Sequence, residues 1–339
     1  MPLRREHLGQ RVVVRRVLPG EVGRSGGPAM TDVLGTLVTF DDDSIAVQRE
    51  DGERTVISHA DIVAGKPVPP RPVARMRITS EELQRIAAAG WVAPHQRSLG
   101  DWLLRATAGF TGRANSALPV GDPHMPLDDA LAEVEAFYAA QRLPALVQVV
   151  EGSPRWDELH GRGWVDARPG AASAPVQVAS VARARRAVAS PLRADAVEIR
   201  ATPDDEWTRV YARTIGLDGD VVRAVLTSGD EVGFARLGSP VVAVGRAVVT
   251  GDWLGLYAVE VLPANRRSGL GTAIVSALLA WGAQRGTLSA YLQTLDDNVA
   301  ALAMYGRFGF ETHHTYRYLR PGDGWVSARQ RQTMGASGE

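Results

Sequence analysis

The chain has 339 residues, 45% of them hydrophobic, enough for two or three domains that each bury a core. Lys plus Arg and Asp plus Glu both total 38, so the basic excess that nucleic-acid binding exploits is missing and no nucleic-acid partner is expected. The absence of cysteine excludes disulfides, thiolate metal sites and a Cys nucleophile. No apolar run reaches about eighteen residues, and the opening stretch MPLRREHLGQRVVVRR has no continuous apolar core. Neither a membrane span nor a signal peptide is expected, and a cytoplasmic location is the default.

The N-terminal stretch, over residues 1–66, reads as strand throughout. RVVVRRVL, LGTLVTF, SIAVQRE and RTVISHADIV are short β-branched runs, with Asp51-Gly52 marking a tight hairpin between the last two. Four or five such strands predict a small closed β-barrel, an interaction or structural module with little room for an internal site. GKPVPPRPVAR, from Gly65 to Arg75, has four prolines in eleven residues and predicts a stiff extended linker.

Two longer segments follow and resemble each other. Ala130 to Trp164 and Ala273 to Phe310 each give a helix ending in Ala-Gln-Arg, a strand containing Gln, a second helix, then Gly and an aromatic. This is a weak internal duplication. The Ala-, Ser- and Pro-rich stretch near residues 170–196 is read as the boundary between modules over 75–185 and 197–325; VQVASV within it has strand character, and ARARRAVAS reads as a solvated basic connector. Trp91, Trp102, Trp156 and Trp164 are expected in the core. His313-His314 is expected to be a surface pair pointing to opposite strand faces rather than a metal site. The tail after Arg329 is expected to be disordered.

The most informative stretch is VLPANRRSGLGTAIVSALLAW, residues 261–281. DWLGLYAVEVL before it is strand-like. After it, Ile274, Val275, Leu278, Leu279 and Trp281 fall at helical spacing, and Gly286 is a good stop. Arg266, Arg267, Ser268, Gly269, Leu270, Gly271 and Thr272 therefore form a strand-to-helix turn. Glycines allow main-chain N–H groups to approach a ligand, the helix start adds partial positive charge, and guanidinium groups fork onto phosphate oxygens. The combination fits a diphosphate. It is not a Walker A loop, which needs Gly-Lys-Ser/Thr, nor the dinucleotide fingerprint, which needs a third glycine and a ribose-binding acid.

Arg266-x-x-Gly269-x-Gly271 resembles the acetyl-CoA motif of the GNAT N-acetyltransferase superfamily. Asn298, Ala301, Tyr305, Gly309 and Phe310 fall at the spacing that this superfamily uses after its fifth strand, here LSAYLQTL, and Pro263 matches its strand-end pattern. The resemblance covers about residues 197–320. It implies an α/β (α+β) fold in which the fourth and fifth strands diverge around acetyl-CoA. It places the main chain of Val259 and Val261 on the pantetheine arm, Arg266 to Thr272 around the diphosphate, and Asn298 at the pantetheine or site wall. It implies Tyr305 as the acid for the departing thiolate, with packing beside the sulfur as the alternative.

Some relatives carry a glutamate base at the position of Gly255. Past the Asp252 that begins the stretch, Glu260 is the only acid inside the strand; it is a candidate base or a structural pair, and an ordered water or backbone carbonyl is the alternative for an α-amine of pKa about 8.

In the first half, LPVGDPHMPLDD replaces the arginines and glycines with prolines and acids. That half resembles a degenerate GNAT module with no phosphate cradle. In RATAGFTGRANSA, Arg113, Asn115 and Ser116 are candidates to hold a substrate carboxylate, with a polar surface loop as the alternative. The whole layout resembles an actinobacterial group with a Src-homology-type barrel followed by a GNAT pair, including the GFTGRANS stretch. That group implies acetyl transfer to a small-molecule amine, L-glutamate favoured (N-acetylglutamate synthesis, feeding arginine), with a protein-lysine acetyltransferase or a non-catalytic acetyl-CoA sensor as alternatives. No metal is implied.

Overall fold

The structure is a computed structural model that describes residues 3–23, 26–49, 52–68, 77–168, 170, 173–188, 194–211, 216–323 and 325. Two compact units are present, Met1–Val73 and Ala74–Glu339. Most of the predicted linker and the whole tail after Arg329 lie outside the described residues.

In the first unit, β1 (Arg11–Val22), β2 (Pro28–Phe40), β3 (Ser44–Gln48), β4 (Arg54–Ser58) and β5 (Ile62–Pro67) form one antiparallel sheet in the order β4-β3-β2-β1-β5. Period-two alternation buries Val12, Val14, Val33, Leu37, Ile45, Val47 and Ile57 on one side. Gly52 has φ +93° and its N–H bonds the Arg49 carbonyl, so the expected β3–β4 turn is there, although Asp51 lies outside the described residues. Two expectations change. RTVISHADIV is two strands broken by a 3-10 turn at His59–Asp61, because the Ser58 hydroxyl caps the Ala60 N–H. The barrel also has no β4–β5 pairing among the described residues; β1 and β2 run 12 and 13 residues instead of being short.

The second unit contains α1 (Ser80–Ala89), β6 (His95–Leu99), β7 (Trp102–Ala106), α2 (Leu127–Ala140), β8 (Val147–Val150), α3 (Pro154–Gly161), β9 (Trp164–Asp166), β10 (Ala174–Ser180) and α4 (Val181–Ala187). Its second half contains β11 (Glu198–Arg200), α5 (Asp205–Val210), α6 (Gly219–Leu226), β12 (Glu231–Leu237), β13 (Ala243–Thr250), β14 (Trp253–Val261), α7 (Leu270–Gln284), β15 (Ser289–Gln293), α8 (Val299–Arg307) and β16 (Glu311–Pro321). The main sheet runs β11-β12-β13-β14-β15-β10-β16-β8, with β9 also on β16. Among the named strands of the described residues, β14 and β15 alone form a parallel ladder, which α7 permits as their crossover. The two predicted helix–strand–helix segments recur as α2–β8–α3 and α7–β15–α8, and Gly163 and Gly309 close them at φ +82° and +76°.

Within the predicted boundary near residues 170–196, Ala174–Ser180 form a strand in the sheet's interior. β10 lies between β15 and β16, with Val176 and Val178 fully buried. ARARRAVAS starts as helix α4, whose Val181 and Ala184 pack into the core while Arg183, Arg185 and Arg186 remain exposed. The C-terminal part of β16 pairs in turn with β8 and β9 of the first half. The halves thus exchange strands, and the two expected modules share one sheet.

A buried polar chain also joins them. Arg105 donates to the Ser116 carbonyl and hydroxyl and to Gln148 Oε1, Gln148 Nε2 donates to Gln84 Oε1 (2.6 Å), and Gln84 Nε2 meets His314 Nε2 (2.8 Å). The His314 and His313 Nδ1 atoms lie 2.8 Å apart, and His313 Nε2 meets the Ile78 carbonyl. The histidines are therefore not an opposed surface pair. A register shift in the β10–β16 ladder at this point lets consecutive side chains meet. Burial, and then His313, lower the His314 pKa to about 4, so the ring is neutral.

Candidate active site

The turn into α7 is built to hold an anion. Pro263–Asn265 make a 3-10 turn, Arg267 sits at φ +63°, and Gly269 caps α7 at φ +80° with no side-chain cap bond. The first helical bond runs from the Ala273 N–H to the Gly269 carbonyl, which leaves the N–H groups of Leu270, Gly271 and Thr272 without an acceptor among the described residues. The first turn has no acid. Arg266 Nε donates to the Val261 carbonyl (3.1 Å), and the Ser268 hydroxyl donates to the Asn265 carbonyl. Arg307, from the last turn of α8, reaches Thr272 Oγ1 at 3.3 Å. None of Arg266, Arg267 and Arg307 makes an ion pair among the described residues, whereas Arg236, for example, is ringed by Asp204, Glu206 and Glu198. Three uncompensated guanidinium groups beside unpaired helix N–H donors fit phosphate oxygens. Arg307 was not among the sequence candidates; its signal was a cation on the helix that follows the fifth strand.

Beside this turn the sheet opens. The β14–β15 ladder ends at Leu256 and Leu292, so beyond that point β14 has no neighbour on that side among the described residues. The cause is a bulge: Val244 faces Glu260 and Arg246 faces Tyr257, so Ala258 and Val259 stand opposite Gly245 alone, with Ala258 at φ +50°. Gly245 is required there because a Cβ would lie 2.5 Å from Ile274 of α7. The free edge of residues 257–261 offers main-chain donors and acceptors to an extended ligand, as an exposed strand does to a peptide. Gly255, where some GNAT proteins carry a glutamate, cannot hold one. A Cβ would come within 2.6 Å of both the Tyr257 ring and the Tyr291 hydroxyl.

Val259 and Val261 pack toward α7, which turns Glu260 to the opposite face. Glu260 is partly exposed and makes no ion pair or side-chain hydrogen bond among the described residues. Tyr305, on α8, is buried beside Phe310 with ring centroids 5.8 Å apart; its hydroxyl has no partner among the described residues, and burial raises its pKa, so it stays protonated. Asn298 caps α8 by accepting from the Ala301 N–H, which leaves its side-chain amide N–H groups for other contacts.

The three first-half candidates separate. Asn115 is buried and committed to its own loop: Oδ1 accepts from the Thr107 and Gly109 N–H groups, and Nδ2 donates to the Phe110 and Thr111 carbonyls. Ser116 serves Arg105. The polar atoms of these two side chains thus bond groups within the first half. Arg113 alone reaches the opening, where Nη1 donates to Gln293 Oε1 at 2.7 Å. Gln293, like Trp91 and Tyr257 whose rings lie under Arg113, was missed in sequence; no local spacing joins residues so far apart. No group of three metal-ligand side chains occurs among the described residues, and no helix of these residues is long and apolar enough to cross a membrane.

An opened parallel strand pair with an anion-binding helix start defines a GNAT-type acyl-transfer fold, whose members use acetyl-CoA. The chain belongs to the family described as "Probable histone acetyltransferase Rv0428c C-terminal", matched over residues 79–319, and residues 6–66 match "Rv0428c N-terminal Sm-like domain", which refines the Src-homology type expected for the barrel. It is similar to the probable histone acetyltransferase Rv0428c of Mycobacterium tuberculosis, 30% identical over 326 residues, 92% of this chain and 95% of that one. It is also 28% identical to the uncharacterized N-acetyltransferase YobR of Bacillus subtilis, over 70% of this chain and 98% of that one. A GCN5-related N-acetyltransferase from Kribbella flavida shares the fold, with a TM-score of 0.50 at 17% identity over 75% of this chain and 98% of that one. The chain is an acetyltransferase of the GNAT type.

Proposed function

We propose that the protein moves the acetyl group of acetyl-CoA to a small primary amine, with the α-amine of L-glutamate as the favoured acceptor. The observation that carries the acyl-CoA reading is the cluster of Arg266, Arg267 and Arg307, free of carboxylates, at the uncapped start of α7 beside the open edge of β14. Residues 266–272 hold the diphosphate, and the main chain of Val259 and Val261 holds the pantetheine arm. Acetyl-CoA supplies the activated thioester carbonyl. Glu260, directly or through a water, takes the proton from the ammonium so that the nitrogen lone pair can form the new C–N bond. Main-chain N–H groups of β14 meet the negative charge that develops on the carbonyl oxygen. The carbonyl re-forms as the C–S bond breaks, the new amide nitrogen gives up its second proton to water, and Tyr305 hands its proton to the departing thiolate and regains one from solvent. Because burial raises its pKa, this proton is harder to release than that of an exposed phenol, and transfer needs the thiolate within hydrogen-bond reach.

The name of the mycobacterial relative, a probable histone acetyltransferase, favours a second reading, a protein lysine as acceptor. A thiol-release assay decides. Release that depends on L-glutamate supports the first reading, and release with basic lysine peptides alone replaces it. No release with any amine, together with no acetyl-CoA binding in calorimetry, rejects acyl transfer.

A further inference from the structure

We propose that Arg113 and Gln293 form a seat for a carboxylate on the acceptor, so that the first half of the unit selects the amine that the second half acetylates. This rests on the acyl-transfer reading above and narrows it to amines that carry an acid.

The first observation is an orphan donor at the fork. Gln293 is the last residue of β15, one position beyond the end of the β14–β15 ladder. Its Oε1 accepts from Arg113, which turns Nε2 the other way, and that Nε2 is buried with no partner among the described residues. A buried amide N–H left unpaired is costly, and a ligand acceptor atom removes that cost. Arg113 is partly buried and makes no ion pair among the described residues. The two side chains therefore present only donors and one full positive charge, which calls for an anionic acceptor atom, and the fork geometry of guanidinium suits carboxylate.

The second observation is how firmly Arg113 is held. Thr111, a β-branched residue, sits at φ +64°, a conformation that persists only when its surroundings impose it. Here they do. The Trp91 indole donates to Thr111 Oγ1 at 2.7 Å, and Asn115 Nδ2 donates to the Thr111 carbonyl at 2.8 Å. Gly112 lets the loop lie on Tyr318, since a Cβ would come 2.9 Å from that ring. Strain concentrated two residues before a charged side chain is a mark of a positioned binding group.

The third observation is the contrast with the neighbouring guanidinium. Arg246 also lies over Trp91 and Tyr257, at 4.8 and 5.2 Å, but it is fully buried and donates to the carbonyls of Leu226, Gly90 and Ser228. Arg246 is a sealed strut joining α1 to the end of α6. Arg113, on the same aromatic pair, keeps N–H groups to offer. Glu260 also lies on this face of the sheet, so a zwitterionic amine finds a carboxylate for its ammonium and a guanidinium for its acid.

The test uses the full-length protein, acetyl-CoA and two equimolar acceptor pools, the common amino acids and their α-carboxamides, with acetyl-CoA affinity measured separately by calorimetry. The acid pool is expected to be acetylated about a hundredfold faster than the carboxamide pool. Arg113→Gln and Gln293→Glu, which neutralises the seat at constant size, should each abolish that preference without changing acetyl-CoA affinity, and Arg113→Lys should keep part of it. Equal rates with the two pools, a preference that survives Arg113→Gln, or a protein that binds acetyl-CoA yet acetylates neither pool overturns the seat alone. Failure of the unmodified protein to bind acetyl-CoA overturns the acyl-transfer reading and the seat together.

Discussion

The starts of α2 and α7 occupy equivalent places in the two halves and have opposite chemistry. At α2, Pro126 stands at the helix start, also without a side-chain cap bond, but Asp128 and Asp129 fill the first turn, and Asp128 pairs with Arg162 at 2.7 Å. The chain itself satisfies the positive end of that helix. At α7 there is no side-chain cap and no acid, and arginines gather where α2 has aspartates. A helix start that is neutralised internally stabilises its own fold, and one left unneutralised is available to a ligand. The same contrast appears between Arg246, which is fully bonded, and Arg113, which is not.

The largest effect expected from this comparison comes from reversing the charge at α7. The double change Arg266→Glu and Arg267→Glu should weaken acetyl-CoA binding about a thousandfold, read by calorimetry, because two charge-assisted contacts become repulsions. Binding within tenfold of the original would remove the phosphate assignment.

The seam between the halves is tested by pH. The folded His314 pKa of about 4 lies below its ordinary value, so its contribution to stability is complete above about pH 6.5 and is lost as pH falls toward 4. That loss is about 3 kcal/mol of unfolding free energy, read from urea unfolding curves taken at those two limits. His314→Gln, which can still accept from Gln84, should flatten that slope; a slope unchanged in the variant would place the titration elsewhere.

Tyr305→Phe should lower kcat about a hundredfold with acetyl-CoA affinity unchanged. Equal turnover would leave the ring a packing role only. Asn115→Ala should cost about 2 kcal/mol, because buried main-chain groups lose their partner, and should raise the acceptor KM by loosening Arg113. A stability loss with no change in KM would separate the loop from acceptor binding. The smallest effect belongs to α2: Asp128→Asn with Asp129→Asn should cost about 0.5 kcal/mol and leave acetyl-CoA affinity untouched.

What could be read in sequence was whatever depends on neighbouring residues. Arg266 to Thr272, the α7 stripe and the Gly286 stop all lie within a few turns, and local spacing reveals them. The bulge at Ala258 and Val259 could not be read, because it depends on Gly245 admitting α7 against β13. Gln293 becomes a partner of Arg113 only through the fold, and His313 meets His314 only because a register shift breaks strand alternation. The Ala- and Ser-rich stretch before β11 hides a strand because β10, APVQVAS, is short and carries Ala, Pro and Ser around its two valines. Arg307 carries no local signal of its role, because a cation in the last turn of a helix usually has a purely helical explanation.

The exchange of β10 and β16 has a consequence for how the molecule is made. When residue 180 leaves the ribosome, β10 has neither of its sheet neighbours, since β15 and β16 are still unsynthesised. The earlier β8 and β9 likewise wait for β16, the last strand of the unit. Closure of both halves is therefore deferred to the same late moment of translation. A nascent chain that stalls before Pro321 exposes bare strand edges in both, the surfaces that chaperones shield and aggregates seek.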